Sequence, residues 1–198
     1  MKPFKLTYDY RCPFAKNIHL HVVSALKGGH EIPVFFVPWT MSQGHRPEGA
    51  PDVWDDPAYD AAHQALLTSI SVRDRQPEYF LAVHEALYRA RHEEGRRLQD
   101  SAEIAGIIAP LGVNVADVAD DIASRRPHQV LGNSFREMER YEVFGVPTFV
   151  SNEDATFVRF MRPPSGDPSE SAEIIRSLVT LMEHNPDLNE FKHTRVPF

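Results

Sequence analysis

Short strand-like runs rich in apolar residues stand near both ends of this 198-residue chain, and a three-to-four-residue repeat of apolar positions runs through its middle. Phe4-Lys5-Leu6-Thr7-Tyr8 predicts a strand, and Asp9-Tyr10-Arg11 a three-residue turn. Ala15, Ile18, Val22, Ala25 and Leu26 then fall on one helical face. Lys27-Gly28-Gly29 supplies a C-cap signal, so the spacing predicts a helix over 13–27. His30-Glu31 leads into Ile32-Pro33-Val34-Phe35-Phe36-Val37-Pro38, a nearly continuous apolar run of the kind expected for a strand covered on both faces. Strand, helix and strand make a βαβ unit, whose strands should be parallel and whose crossover should be right-handed.

The segment from Trp39 to Pro51 has no clear period and reads as a loop. It leaves the carboxyl end of a strand, where ligands of open α/β sheets bind, so Trp39, Gln43 and His45 are candidates for a pocket wall. An ordered connector with a packed Trp is the alternative. From 53 to 141 the pattern is helical throughout. Pro57 to Ile70 and Pro77 to Glu93 each begin with proline near the first turn. Asp100 to Ala109 carries an Asp-x-x-Glu capping box, Asn114 to Ser124 starts on an N-cap residue, and Pro127 to Tyr141 closes the set. No strand signal interrupts this stretch, which predicts an all-helical subdomain. Val146 to Ser151 and Ala155 to Phe160 then read as strands joined at Asn152-Glu153-Asp154, a hairpin signal. After the breaker Pro163-Pro164-Ser165-Gly166, Ser169 to His184 reads as an amphipathic helix with Ile175, Leu178, Val179 and Met182 inward. The tail, Asn185 to Phe198, is polar and contains a proline.

Composition narrows the classes. With 42% apolar residues the chain is long enough for one globular unit with an inserted subdomain. A net charge of −7 and a pI near 5.8 disfavour nucleic acid or an anionic membrane as partner. Met1-Lys2-Pro3 runs straight into the first strand without an apolar leader, and no apolar run is long enough to span a bilayer. The expectation is a cytoplasmic protein. A single cysteine forms no internal disulfide, which agrees with a reducing compartment.

That cysteine, Cys12, is the leading candidate for chemistry. Pro13 suits the first helical position, where its missing N–H has no intrahelical partner, and this places Cys12 at the N-cap. A thiol there faces unpaired N–H groups and the positive end of the helix dipole, which favour thiolate. The expected pKa is therefore below the roughly 8.5 of a free thiol. The histidines are loosely spaced. His19 and His21 face different sides of one helix, and His19 lies two turns, about 10 Å, from Cys12. His84, Tyr88, Arg91 and His92 share a helical face, which reads as a solvated or cleft-lining surface; no metal site is expected. Arg73-Asp74-Arg75 would suit a bidentate grip on a carboxylate, but helix capping is the favoured reading.

Strand, turn and Cys12-Pro13-Phe14-Ala15 near the start, with Gly145-Val146-Pro147-Thr148 before a late strand, resemble the DsbA, 2-hydroxychromene-2-carboxylate isomerase and kappa glutathione transferase group. The resemblance implies an α/β, thioredoxin-like fold with an all-helical subdomain inserted between its βαβ and ββα halves. The thioredoxin-like domain would comprise 1–52 and 142–185, the helical subdomain 53–141, and a docked C-terminal tail 186–198. The tail's Asn189-Glu190-Phe191-Lys192-His193-Thr194 is similar to that of bacterial DsbA-like proteins. In the group the late proline is cis and lies against the active-site turn, so Val146, Pro147 and Thr148 join Trp39 and His45 as expected substrate-binding residues. Pro13, Phe14 and Ala15 form the expected active-site turn.

Dithiol members carry Cys-x-x-Cys, whereas position 15 is Ala15 here. A one-cysteine cycle remains: Cys12 forms a mixed disulfide that an external thiol resolves. No cofactor is expected to be permanently bound. Glutathione, mycothiol or another low-molecular-weight thiol is the expected partner, or a thiol-containing substrate. In the isomerase and transferase branch, a Ser-Pro-aromatic motif hydrogen-bonds the thiolate of bound glutathione. Cys12-Pro13-Phe14 resembles it with sulfur in place of oxygen, and because a thiol is a weak donor, covalent use is favoured. Three readings stay open: a monothiol oxidoreductase, a glutathione-dependent isomerase or transferase, and a non-catalytic binding module. Isomerase-branch relatives are often dimers, so the resemblance also admits a homodimer.

Overall fold

A computed structural model describes residues 1–195. The chain divides into two compact units, one comprising 1–8, 12–37 and 141–198, the other 9–11 and 38–140.

The first unit is built on a four-stranded sheet in the order β2-β1-β3-β4. The strands are β1 (Phe4–Tyr8), β2 (Val34–Pro38), β3 (Thr148–Ser151) and β4 (Asp154–Phe157). β1 pairs antiparallel with β3 through Lys5 opposite Val150 and Leu6 opposite Phe149, and β3 pairs antiparallel with β4 from Thr148–Phe157 to Ser151–Asp154. α1 (Pro13–Lys27) and α7 (Pro168–His184) pack on each other and complete this unit. Phe4 and Leu6 of β1, Ile18, Val22 and Ala25 of α1, Phe149 of β3, and Ala172, Ile175 and Val179 of α7 form one buried cluster. Such a cluster stabilises by removing apolar area from water, and here it fixes the strand and helix that flank Cys12. Gly28 ends α1 where α7 begins: a Cβ added there would lie 2.3 Å from the Cβ of Pro168, so no larger residue fits.

The two predicted α1 histidines are internal. His19 donates from Nε2 to the Thr7 carbonyl at 3.1 Å, tying α1 to the end of β1, and burial pushes its pKa down to about 3. His21 faces the other way, its ring nitrogens 3.2 Å from Ser171 Oγ of α7 and 3.2 Å from the Arg162 carbonyl.

β2 departs from the expectation of a strand covered on both faces. It lies at the edge of the sheet and begins at Val34 rather than Ile32, and Phe35 is 61% exposed. Side chains alternate between the two faces of a strand, and here Val34 and Phe36 pack against the buried cluster while the face bearing Phe35 is left open. The hairpin strands are also shorter than predicted, and Val146 and Pro147 stand just before β3. The tail expected to dock is exposed at each residue from 186 to 195, and residues 196–198 of that expectation lie outside the described ones.

The second unit contains α2 (Asp60–Arg75), α3 (Phe80–His92), α4 (Ser101–Ile108), α5 (Val115–Ala123) and α6 (Arg126–Glu139). Asp100 and Asn114 cap α4 and α5, each accepting from two backbone N–H groups. Pro57 and Pro77 open single 3₁₀ turns that precede α2 and α3, rather than opening the helices themselves. α2 runs past Ile70 to Arg75; Ser69 can be buried within it because its hydroxyl donates to the Leu66 carbonyl at 2.8 Å. Arg73-Asp74-Arg75 is structural: Asp74 pairs with Arg73 and with Arg126 of α6, and Arg75 reaches Asp121 of α5 at 3.7 Å.

Residues 38–52, expected with the sheet, belong to this helical unit. Trp39 stacks on Phe135 of α6 with ring centroids 5.4 Å apart, and Thr40 Oγ1 is 2.9 Å from His63 Nε2 of α2. Residues 9–11 belong there as well. Tyr10 hydroxyl meets His84 Nδ1 at 2.7 Å, and Arg11 Nη2 donates to Thr40 Oγ1 at 2.8 Å.

Candidate active site

β1 ends at Tyr8 and α1 starts at Pro13, so the chain turns between them and Cys12 takes the N-cap with φ −94° and ψ 117°. Proline at the first helical position has a backbone angle already suited to the helix. Cys12 is half-buried, and its Sγ accepts from the Ala15 N–H at 3.5 Å. The Cys12 carbonyl accepts from Lys16 N–H at 3.1 Å, so the backbone at the cysteine is committed to the helix.

Across from the sulfur lies the segment 145–148. The Val146–Pro147 peptide bond is cis. The Cys12 thiol donates to the Val146 carbonyl across 3.2 Å. Three further bonds hold the segment in place. Thr148 Oγ1 donates to the Gly145 carbonyl at 2.8 Å, Thr148 N–H donates to Thr7 Oγ1 at 2.8 Å, and the Pro147 carbonyl accepts from Val158 N–H at 3.1 Å. Val146 and Thr148 are both buried, and Thr148 is the residue that anchors the segment to β1.

The two groups on the sulfur act in opposite senses. The Ala15 N–H stabilises negative charge on Sγ, as does the positive end of the helix dipole. The Val146 carbonyl is an acceptor and interacts best with the protonated thiol, although S–H is a weak donor. A disulfide-bonded sulfur or a thiolate turns that carbonyl free for a ligand N–H. An apolar rim stands nearby in the same unit: Phe144 is 69% exposed with its ring 5.2 Å from that of Phe157, and the Arg159 guanidinium lies 5.6 Å from the ring centroid of Phe14.

Cys12, Pro13, Phe14, Ala15, Val146, Pro147 and Thr148 thus lie in one unit. Trp39 and His45 lie in the other. Trp39, expected in a pocket wall, is buried and stacked on Phe135, and His45 is an exposed residue at the end of the 3₁₀ turn Met41–His45. Gln43 closes its own loop, donating to Asp52 Oδ1 at 2.6 Å and accepting from Val53 N–H at 3.1 Å. The His84 face is not solvated: His84 and Tyr88 are fully buried, and His92 Nε2 sits 2.8 Å from the Tyr10 carbonyl. Among the described residues no cluster of three or more His, Cys, Asp or Glu is placed to hold a metal ion.

The sequence reading missed the work of Asp9 and Arg11. The Arg11 guanidinium grips Asp9 through Nε at 3.0 and 3.1 Å and through Nη2 at 2.5 Å, while Arg11 N–H donates to Asp9 Oδ1 at 2.9 Å. Burial works to lower the Arg11 pKa, but the Asp9 bonds and charge raise it overall. His63, on the far side of Thr40, has its pKa lowered to about 4, first by burial and then by the Arg11 charge. Two opposite charges two residues apart in a turn were the available signal.

A sulfur capping a helix behind the first strand of such a sheet, facing the carbonyl before a proline, defines a thioredoxin-fold thiol site. Comparison with known proteins makes the class specific. A DSBA-like thioredoxin domain model matches residues 5–162, and the chain belongs to that family. The thiol:disulfide interchange protein DsbA of Pseudomonas syringae pv. tomato is 29% identical over 97 residues, which is 49% of this chain. The matched stretch is 44% of that relative's length. DsbA of Pseudomonas aeruginosa superposes with a TM-score of 0.56 at 20% identity, covering 93% of this chain and 85% of that one. The cytosolic disulfide reductase DsbM of Pseudomonas aeruginosa, solved with GSH, gives a TM-score of 0.62 at 17% identity, covering 91% of this chain and 100% of that one. These two likenesses speak for the fold. No helix among the described residues is long and apolar enough to cross a membrane.

Proposed function

We propose that the protein is a monothiol disulfide-exchange enzyme in which Cys12 is the sole nucleophile and a small thiol such as glutathione or mycothiol completes the cycle. The thiolate attacks the small-thiol sulfur of a substrate that is disulfide-bonded to that small thiol, forming the disulfide between Cys12 and the small thiol and releasing the substrate sulfur as a thiolate that takes up a proton. An external thiolate then attacks the mixed disulfide on the sulfur of the small thiol. That step restores Cys12 and yields the disulfide of the small thiol, so each turnover consumes one free small thiol and exchanges the substrate's mixed disulfide for a substrate thiol and the small-thiol disulfide.

The observation that carries this reading is the position of Cys12 Sγ, half-buried at a helix N-terminus and 3.2 Å from the Val146 carbonyl. The N-terminus favours the attacking form, and the backbone at Val146 offers a hydrogen-bonding edge to a bound peptide-like ligand. Ala15 leaves no internal thiol for resolution, which is why the second step is assigned to a small thiol. DsbM, a cytosolic disulfide reductase solved with GSH, has the same fold and is consistent with it. A cytoplasmic setting, where such thiols are abundant and disulfides are kept reduced, is part of the proposal.

Turnover of a glutathionylated peptide, followed as oxidised glutathione in the presence of excess glutathione, tests the reading. Wild type should release free peptide catalytically and Cys12→Ser should not. Equal release by both would remove the covalent mechanism. Glutathione binding that survives Cys12→Ser, with no turnover in wild type, would favour a glutathione-dependent isomerase or transferase instead.

A further inference from the structure

One side chain beside the thiol bears on which small thiol the site takes. Val158, Arg159 and Phe160 follow β4 with a strand-like alternation: Val158 and Phe160 pack against the buried cluster, and Arg159 between them is exposed. Three bonds fix this segment. Val158 N–H donates to the Pro147 carbonyl at 3.1 Å, Asn17 Nδ2 of α1 donates to the Phe160 carbonyl at 2.9 Å, and His21 Nε2 of α1 is 3.2 Å from the Arg162 carbonyl. Arg159 is therefore held between the proline that follows Val146 and the helix that the sulfur caps. Its guanidinium lies over the ring of Phe14, in the first turn of that helix, 5.6 Å from the centroid.

This cation is open to an anion. Among the described residues no carboxylate lies within ion-pair distance of Arg159. A guanidinium over an aromatic face keeps N–H groups on its edge for an acceptor. The tail of the same unit shows its field at work. Glu190 bonds Lys192 Nζ at 2.7 Å and titrates below the usual carboxylate range, through the Lys192 bond and charge first and the Arg159 charge last. Arg159 thus acts on a carboxylate without being taken up by one.

We infer that Arg159 is a specificity-determining residue for the small thiol, gripping a carboxylate of a peptide thiol while that thiol is disulfide-bonded to Cys12. The inference rests on the exchange chemistry proposed above and narrows its partner. In glutathione a peptide N–H and the glycine carboxylate follow the sulfur-bearing residue. The Val146 carbonyl accepts the N–H once the Cys12 sulfur is in a disulfide, and the planar fork of Arg159 matches the two carboxylate oxygens. Mycothiol carries amides but no carboxylate, so Arg159 has nothing on it to grip. The class selected is a small peptide thiol with a free carboxylate.

Rate constants for adduct formation at Cys12, followed by intact-protein mass spectrometry, test this with two disulfides: the dimer of N-acetylcysteinylglycine and the dimer of its C-terminal amide. With each, the Cys12 thiolate bonds one sulfur and the other half leaves as a thiolate that takes up a proton. The ratio of the two rate constants, carboxylate over amide, should be about two- to fivefold higher in wild type than in Arg159→Gln, the range of an exposed ion pair. Arg176→Gln, which removes an exposed charge from α7, should keep the wild-type ratio. Salt raised to about 1 M should lower the wild-type ratio towards that of Arg159→Gln. Equal ratios in wild type and Arg159→Gln, a wild-type ratio that salt does not move, or an equal fall in Arg176→Gln would overturn the carboxylate assignment and leave the exchange chemistry standing. No adduct from either disulfide in wild type would overturn both.

Discussion

His19 ties the helix that begins at Cys12 to the strand before it, and acid should loosen that tie. Its Nε2 donates to the Thr7 carbonyl at 3.1 Å within a fully buried environment that holds its pKa to about 3. An imidazole in the unfolded chain titrates near 6.5, so between these values the unfolded state binds more protons than the folded one. Stability contributed by neutral His19 is therefore complete above the unfolded value and is lost as pH falls towards the folded one. From about pH 6.5 to about pH 4.5 the loss from this residue alone is about 2 kcal/mol, at about 1.4 kcal/mol per pKa unit. Urea unfolding of wild type and His19→Gln at both pH values isolates it, because the glutamine amide can keep a donor to Thr7 without titrating. The variant should show a pH dependence smaller by about that amount, whatever its absolute stability. The His19 ring nitrogens in wild type should also keep neutral-imidazole shifts throughout this range. An identical pH dependence in both proteins, or a His19 ring that protonates near its ordinary value, would refute the argument.

Other consequences concern the helix ends and the missing second thiol. Gly28→Ala puts a methyl group where Pro168 already lies, and should destabilise by about 1–3 kcal/mol in urea unfolding. Ile175→Ala removes a fully buried side chain from the cluster shared by α1, α7 and the sheet, and should cost about 2–5 kcal/mol by the same assay. Ala15→Cys restores a Cys-x-x-Cys spacing at a residue whose N–H already meets Cys12 Sγ. Treated with oxidised glutathione, that variant should end as an internal disulfide, with two glutathione molecules released and no stable adduct in the mass spectrum. A persisting glutathione adduct would show that the turn cannot bring the two sulfurs together.

Much of the sheet unit was legible because its signals are local. Cys12-Pro13 and Gly28 bracket α1 where the structure has it, Pro13–Lys27, since a proline and a glycine at helix ends act through their own backbone. Face coverage was not legible: the apolar run at Val34–Pro38 reads the same whether one or both faces are covered, and only the packing of Val34 and Phe36 against the buried cluster shows that Phe35 is on the open one. Trp39 illustrates the other gap. Its place after a strand suggested a pocket wall, but the partner that buries it, Phe135, is 96 positions away and has no local signature. His84 and Tyr88 looked like a polar face for the same reason. Tyr10, far away in sequence, supplies the 2.7 Å bond that lets His84 be buried. Distant polar partners turn polar faces into core, and periodicity cannot register them.

Intact-protein mass spectrometry after incubation with oxidised glutathione tests most directly whether the one thiol in this chain is the reactive group. Wild type should gain a single glutathionyl group at Cys12 and lose it on addition of excess reduced glutathione, while Cys12→Ser gains none. A wild-type mass that stays unchanged, or an adduct that excess thiol does not remove, would contradict the account.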